Sequence, residues 1–418
     1  MRTMIQKHYH WVIAVIVFFE MIVFGGMVNS IGIYTIPITQ GLGVDRGPFT
    51  IAGMPYGLLS LASTLFTGFL LRKFGYKKVA IGSLLLTSSG FFVMAFAPGL
   101  LGHGIGRGLL GLGYGACFTA GAVWIIKQWF HAHQGLVIGV ISMATGLGGS
   151  VMSFAFSRVI VVFNWRVALM IEGLLPILVA FLYFLMYDAP EKKSLQPYGV
   201  GQTTKKAIRT ENNWPGLSLK EQYRHPLLYV MCIATLVSSI CVYTTSSVMN
   251  PHFQDNGYTA TAAASYDSVL MLTLAFVKLL LGWISDKFGA KPVAILCLVC
   301  AAAGQWILSD VANPILSYIG VALFSVGLCL STIVIPLVAL PLFGYKGSAE
   351  INGIIVGMSA LASLVTAPVC NFVYDRIHSY SPAFRVAAVM DICLIGVYLV
   401  MFTMAKKVRK REMSKQKI

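Results

Sequence analysis

Long apolar segments, separated by short polar turns, follow one another along almost the whole chain. Twelve such segments can be drawn, and most reach the length of about 20 residues that a helix needs to cross a bilayer. They cover residues 11–37, 49–71, 78–97, 100–126, 134–158, 166–187, 226–250, 260–284, 292–309, 313–340, 350–374 and 384–404. The pattern predicts an all-α polytopic membrane protein with twelve transmembrane helices.

Three short sequences of the first half recur in the second half at nearly the same offset. The pairs are Gly68–Lys77 with Gly282–Lys291, Gly135–Gly139 with Gly353–Gly357, and Trp165–Glu172 with Phe384–Asp391. Each copy holds the same place within its half, which predicts two parallel repeats of six helices. The expected parts are a six-helix half at 1–187, a cytoplasmic linker at 188–225, a second six-helix half at 226–404 and a basic cytoplasmic tail at 405–418.

The composition agrees with a membrane protein, since 57% of the residues are hydrophobic and only 11% are charged. A net charge of +16 would suggest nucleic acid as the partner of a soluble protein. Here most Lys and Arg residues fall in the turns and ends that face the cytoplasm if the N-terminus is cytoplasmic. The charge therefore predicts a cell-membrane protein with both termini in the cytoplasm. It also favours contact with anionic lipids, and no nucleic-acid partner is expected.

One lysine stands inside a predicted span. Lys278 follows a run that is almost free of charge and precedes Asp286. An ionisable residue inside a membrane is costly and is by default a functional candidate. Its ammonium group either snorkels toward the cytoplasm beside Asp286 or faces a cavity between the halves and binds an anion. We expect the second, with a small organic anion as the substrate.

Polar residues of the first half are candidates for the same path. Asn29 and Tyr34 make the first span too polar to face lipid alone, and Tyr56 begins the second. Arg107 either supplies a second positive charge or holds the fourth span against a carbonyl group or Glu20. Glu20 is also the candidate for proton coupling, because its span is expected to face the cavity.

The fourth span contains a glycine pattern that imitates a nucleotide site. Gly106-x-Gly108-x-x-Gly111 matches a dinucleotide fingerprint, but that fingerprint needs a preceding strand and a soluble βαβ unit. Close helix packing is the better interpretation. His131-x-His133 lacks the further ligands that a metal site needs, and no motif of catalysis stands in a suitable context. We therefore expect neither a cofactor, nor a bound metal, nor an enzyme.

The turn Gly282–Lys291 resembles the loop motif of the major facilitator superfamily, and Arg107-x-x-x-Gly111-x-Gly113 is similar to its fourth-span motif. The resemblance covers nearly the whole chain and implies two six-helix halves that alternate access to a central site. The gating residues that it implies are Gly282, Asp286, Lys287, Gly289 and Lys291, with Gly68, Arg72 and Gly75 in the first half. Arg72 stands where the superfamily usually has an aspartate, so the first-half latch departs from the pattern.

Within the superfamily, 34–49 and 278–286 resemble the monocarboxylate transporters and the oxalate:formate antiporters. The resemblance places Lys278 where those families have an arginine that is taken to bind the substrate carboxylate. Lysine keeps the charge and loses the bidentate fork, and Leu274 replaces an aspartate that is frequent in monocarboxylate transporters. We expect a secondary transporter of a small organic anion, first of all a monocarboxylate, that acts as a monomer by proton coupling or anion exchange. The alternatives are an exporter of amphipathic compounds and a non-transporting receptor.

Overall fold

The computed structural model describes residues 9–118, 120–130, 134–187, 197–199, 219–330 and 348–415. In the first part of the chain its helices are α1 (Tyr9–Asn29), α2 (Thr35–Leu42), α3 (Arg46–Ala52), α4 (Pro55–Phe74), α5 (Tyr76–Phe96), α6 (Gly99–Cys117), α7 (Ala120–Trp129), α8 (Gln134–Val162) and α9 (Trp165–Leu182). In the second part they are α10 (Leu219–Arg224), α11 (Pro226–Asp255), α12 (Ala260–Phe288), α13 (Ala290–Leu308), α14 (Pro314–Cys329), α15 (Ser348–Ile377) and α16 (Ser381–Lys415). Two short 3₁₀-helices, Ile31–Tyr34 and Tyr183–Leu185, follow α1 and α9.

The helices coincide with the predicted apolar segments. Within the described ranges, ten helical stretches are long and apolar enough to cross a membrane. α14 is shorter, at 16 residues, and the predicted tenth span continues beyond it into residues that the structure does not describe. The all-α, polytopic prediction is confirmed, while the count of twelve spans stays a prediction.

Contacts between Cα atoms group the chain into two compact units. Unit 1 contains Met1–Ala207 and Thr259–Ala275, and unit 2 contains Ile208–Tyr258 and Phe276–Ile418. The division therefore falls within α12, whose first part belongs to unit 1. The predicted domain boundaries stay a prediction, since most of the expected linker at 188–225 lies outside the described residues.

Glycines allow the helices of unit 1 to pack backbone against backbone. A Cβ atom built on Gly111 would lie 2.3 Å from the carbonyl oxygen of Tyr56, so α6 lies directly against α4. A Cβ on Gly106 would lie 2.5 Å from the carbonyl oxygen of Gly90 on α5. The glycine pattern of the fourth span thus serves two helix contacts at once, which confirms close packing as its interpretation.

The same device joins α1 to α8. A Cβ on Gly148 would lie 2.0 Å from the carbonyl oxygen of Ile22, and a Cβ on Gly25 would lie 2.4 Å from the Cα of Thr145. Neither neighbour is the end of a flexible side chain. A larger residue at Gly148 or Gly25 therefore forces the two backbones apart.

In unit 2, α11 lies against α15 and α16, and α13 lies against α14 and α16. The contact of α13 with α14 again depends on glycine, because a Cβ on Gly304 would lie 2.7 Å from the carbonyl oxygen of Gly320. The helices α11, α13 and α16 enclose a group of polar side chains that includes Gln305 and Asp391, both fully buried.

The repeated sequence turns have the same backbone in both units. Gly75 has φ 79° and ψ 160° between α4 and α5, and Gly289 has φ 84° and ψ 170° between α12 and α13. Residues with a Cβ atom rarely adopt this positive φ. The recurrence of glycine in the two copies is therefore a requirement of the turn itself.

We predict that Gly148→Ala lowers the thermal stability of the protein in detergent by about 1–3 kcal/mol, the usual effect of forcing extra volume into a packed contact. Gly82→Ala is the matched control, since a Cβ atom there meets nothing within 4 Å. The control should be neutral, or stabilising by up to about 1 kcal/mol through helix propensity. Equal melting temperatures for the two variants would contradict the packing argument.

Candidate functional site

Arg107 and Tyr56, two predicted binding residues, are in contact. The guanidinium carbon of Arg107 on α6 lies 4.5 Å from the centre of the Tyr56 ring on α4, within the range of a cation–π interaction. No hydrogen bond or ion pair joins Arg107 to another described residue. Its N–H donors are thus available to a ligand. One turn earlier on α6, the buried His103 packs on Phe49 with ring centres 4.5 Å apart.

Glu20 on α1 is fully buried and accepts hydrogen bonds from two tyrosines. The hydroxyl of Tyr76 donates to Oε2 over 3.0 Å, and the hydroxyl of Tyr183 donates to the same oxygen. The two hydroxyl oxygens lie 3.2 Å apart. Sequence reasoning missed both tyrosines, because they come from α5 and from the 3₁₀-helix after α9, far from Glu20 in the chain.

Tyr34 lies in the 3₁₀-helix after α1 and is fully buried. Its hydroxyl faces the carboxyl group of Glu172 on α9, whose Oε1 accepts a hydrogen bond of 3.3 Å from Ser30. Neither the Tyr34 hydroxyl nor Oε2 of Glu172 has a hydrogen-bond partner in the structure. Tyr34 therefore directs its polar end at a buried acid.

Asn29, at the end of α1, is half-buried, and its side-chain amide donates to the carbonyl oxygen of Thr145 over 3.4 Å. This long hydrogen bond reaches α8 at the level where Gly149 lets the two helices approach. The polarity that the sequence shows at the end of the first span thus serves, in this structure, the contact of α1 with α8.

Lys278 belongs to the part of α12 that lies in unit 2, and its side chain is half-buried. The thiol of Cys329 on α14 lies near its ammonium group. No ion pair or hydrogen bond joins Lys278 to any residue that the structure describes. The side chain of Asp286, to which the alternative interpretation assigned it, lies outside the described part.

The two predicted gate turns share side-chain contacts as well as backbone. In unit 2 the ammonium group of Lys287 lies 5.3 Å from the centre of the Trp283 ring. At the equivalent place in unit 1, Lys73 lies 5.6 Å from the Phe69 ring. Of the other predicted gating residues, Gly68 and Arg72 lie within α4, Gly282 lies within α12, and Lys291 lies in the first turn of α13. Within the described residues, no group of three or more His, Cys, Asp or Glu side chains could bind a metal ion.

A sequence profile described as Major Facilitator Superfamily matches residues 11–328 and 231–417. The chain belongs to the Major Facilitator Superfamily. The fold agrees with this membership. The nucleoside transporter NupG, in a mutant form, superimposes with a TM-score of 0.76 at 12% identity, covering 94% of this chain and 99% of that one. The xylose transporter XylE from E. coli does so with a TM-score of 0.71 at 14% identity, covering 94% and 99%.

Members of the Major Facilitator Superfamily with related sequences include transporters named for monocarboxylates. The chain is 24% identical over 331 residues to monocarboxylate transporter 11 of Mus musculus, covering 76% of this chain and 70% of that protein. It is 22% identical over 293 residues to the MFS-type transporter YcxA of Bacillus subtilis (strain 168), covering 68% and 67%. These similarities confirm the resemblance that the motifs indicated.

We predict that Tyr76→Phe destabilises the protein by about 1–3 kcal/mol, because it removes a donor from a buried carboxyl group. Thermal unfolding in detergent measures the effect. Tyr223→Phe makes the same change at an exposed side chain and is the control. A loss of stability in the control as large as that in Tyr76→Phe would contradict the assignment of the Glu20 bonds.

Proposed function

We propose that this protein is a secondary active transporter that moves a small organic anion, a monocarboxylate, across the cell membrane by alternating access. Lys278 carries the proposal. It is a half-buried cation on a helix of membrane-spanning length, and none of the described residues forms an ion pair with it. A cation in such a place is stabilised by an anion that it binds, and a carboxylate has the charge and size to do so.

A single ammonium group suits a monocarboxylate. Lysine presents a compact charge on a flexible stem, whereas arginine holds two oxygens in a planar fork. We propose that Lys278 binds the carboxylate, with Arg107 and Tyr56 as further binding residues. Arg107 supports this role because its donors have no described acceptor and its charge lies against an aromatic ring. Asn29 and Tyr34 belong to the proposed path, although their polar groups now face Thr145 and Glu172.

The similarity to a protein named monocarboxylate transporter 11 supports the same substrate class. The glycine turns at Gly75 and Gly289, with Arg72, Asp286, Lys287 and Lys291 beside them, are the proposed gates. We place both termini in the cytoplasm, as the distribution of Lys and Arg favours. We also propose that the transporter acts as a monomer in contact with anionic lipids.

For coupling, we propose that Glu20 binds and releases the transported proton. Two tyrosine hydroxyls point at one of its oxygens, and hydrogen bonds of this kind stabilise the ionised form of a carboxyl group. A proton arriving at Glu20 would release the hydroxyls to other acceptors. Protonation of Glu20 on α1 would thus change the hydrogen bonds of Tyr76 on α5 and of Tyr183 beside α9.

We predict that Lys278→Gln lowers anion uptake about 100-fold, which corresponds to the loss of a charged partner worth ~3 kcal/mol. Counterflow in proteoliposomes with a panel of mono- and dicarboxylates measures the uptake. Lys220→Gln, which removes the same charge from an exposed position, is the control and should transport normally. Undiminished uptake by folded Lys278→Gln would overturn the assignment.

The same panel separates the competing functions. Transport of amphipathic compounds with no response to carboxylates would favour an exporter. Saturable binding of a carboxylate without counterflow would favour a receptor. In either case Lys278→Gln and the wild type are compared for binding as well as for transport, so that the site and the activity are judged separately.

We predict that Glu20→Gln abolishes substrate accumulation driven by a pH gradient while counterflow without a gradient continues. The variant keeps the size of the side chain and removes its proton chemistry. Uptake by the wild type with and without an imposed gradient is the reference. Equal wild-type uptake in both conditions would favour anion exchange and would remove Glu20 from the coupling scheme.

A further inference from the structure

A carboxyl group that the proposed transport cycle does not use lies in unit 2. Asp391 sits on α16, six residues along the chain from Arg385, where α16 meets α11 and α13. Its side chain is 0% exposed. Both carboxyl oxygens are buried, and neither has a hydrogen-bond partner in the structure.

The groups around Asp391 are neutral. Cys241 on α11 and Gln305 on α13 lie beside its carboxyl group. Among the described residues, the titratable groups that face this cluster are Cys241 from α11, Cys297 from α13 and Tyr398 from α16 itself. None of them is a cation, and Arg385 on the same helix donates instead to the hydroxyl of Ser309 over 3.2 Å.

The hydrogen bonds of Gln305 show that a donor proton is missing between its side chain and Asp391. Its side-chain nitrogen donates to the carbonyl oxygen of Cys241 over 3.0 Å, while its Oε1 is buried without a donor. Asp391 therefore offers two acceptor oxygens next to a side chain that has an unsatisfied acceptor of its own. An ionised carboxylate in such a place would be desolvated without compensation, which is among the most unfavourable arrangements in a folded protein.

We propose that Asp391 is a proton-binding site within unit 2. One proton bound to its carboxyl group converts it into a neutral acid with one O–H donor. That donor can bond to the Gln305 side chain and so join α16 to α13, which is in turn bonded to α11 through Cys241. The ligand of the site is the proton itself.

Comparison with the other buried acids separates Asp391 from them. Glu20 accepts two tyrosine hydroxyls and Glu172 accepts one serine hydroxyl, whereas Asp391 accepts none in the structure. Donors stabilise an ionised carboxylate, and their absence favours the protonated acid. Of these three acids, Asp391 is the one for which neither oxygen accepts a hydrogen bond in the structure.

The inference goes beyond the proposed function, because its test needs neither a substrate nor transport. Infrared spectroscopy of the purified full chain shows the C=O stretch of protonated carboxyl groups, which ionised carboxylates lack. At neutral pH the wild type should show an acid band that Asp391→Asn loses. Asp310→Asn makes the same chemical change at an exposed carboxyl group and should leave the band intact.

Thermal unfolding gives a second reading. Because the ionised acid is unpaired in the folded protein and hydrated in the unfolded chain, the wild-type melting temperature should fall as pH rises through the release of the proton. Asp391→Asn cannot ionise and should lack that fall, whereas Asp310→Asn should follow the wild type. If Asp391→Asn does not fold, Asp391→Glu retains an acid and should shift the band.

The proposal is overturned if the acid band is unchanged in Asp391→Asn, or in Asp391→Glu where the Asn variant does not fold. It is also overturned if the melting temperature of the wild type, compared with that of Asp391→Asn, increases as pH rises. Either result would mean that Asp391 is ionised and held by a partner. A failure of anion transport in proteoliposomes leaves this test unaffected, so the two proposals can fail separately.

Discussion

Helices in a bilayer gain little from hiding apolar side chains, since the lipid is as apolar as the side chains themselves. Close van der Waals contact between backbones must supply much of the association, and glycine permits the closest contact. At Gly111, Gly113, Gly148 and Gly304 a single added carbon would meet a carbonyl oxygen of the next helix at 2.0–2.7 Å. The arrangement of α4, α5 and α6, of α1 and α8, and of α13 and α14 depends on these absent side chains.

The absence of water in the bilayer interior also determines how the buried acids are stabilised. A carboxyl group inside a span has only protein donors or a proton to compensate it. Glu20 has two tyrosine hydroxyls, Glu172 has one serine hydroxyl, and Asp391 has no hydrogen-bond donor in the structure. Glu172 and Asp391 come from equivalent places in the repeated sequence, yet their surroundings differ. The repeated sequence therefore places an acid at the same position in each unit, while the neighbouring helices give the two acids different surroundings.

Periodic and local features of the structure could be predicted from the sequence. The length of the apolar segments predicted where the helices lie, and the repeated glycines at 75 and 289 marked two turns with the same positive φ. The glycines of the fourth span predicted close packing, because the alternative needs a strand that an apolar helix cannot provide. The partners of Glu20 could not be predicted, since Tyr76 and Tyr183 meet it only after α5 and α9 have packed against α1. The neutral surroundings of Asp391 could not be predicted either, because Cys241 and Gln305 reach it from α11 and α13 only in the folded protein.

Arg107 and Lys278, two cations inside the spans, differ from the acids in the neighbours that stabilise them. Arg107 lies over an aromatic ring, which partly compensates a guanidinium group and leaves its N–H donors free. Lys278 has a thiol as its described neighbour, and a thiol is a weak acceptor that cannot neutralise an ammonium group. Arg107 thus has an aromatic ring beside its charge in unit 1, whereas the described neighbour of Lys278 in unit 2 is a thiol. This difference is why the proposed site is centred on Lys278, although arginine is usually the stronger carboxylate ligand.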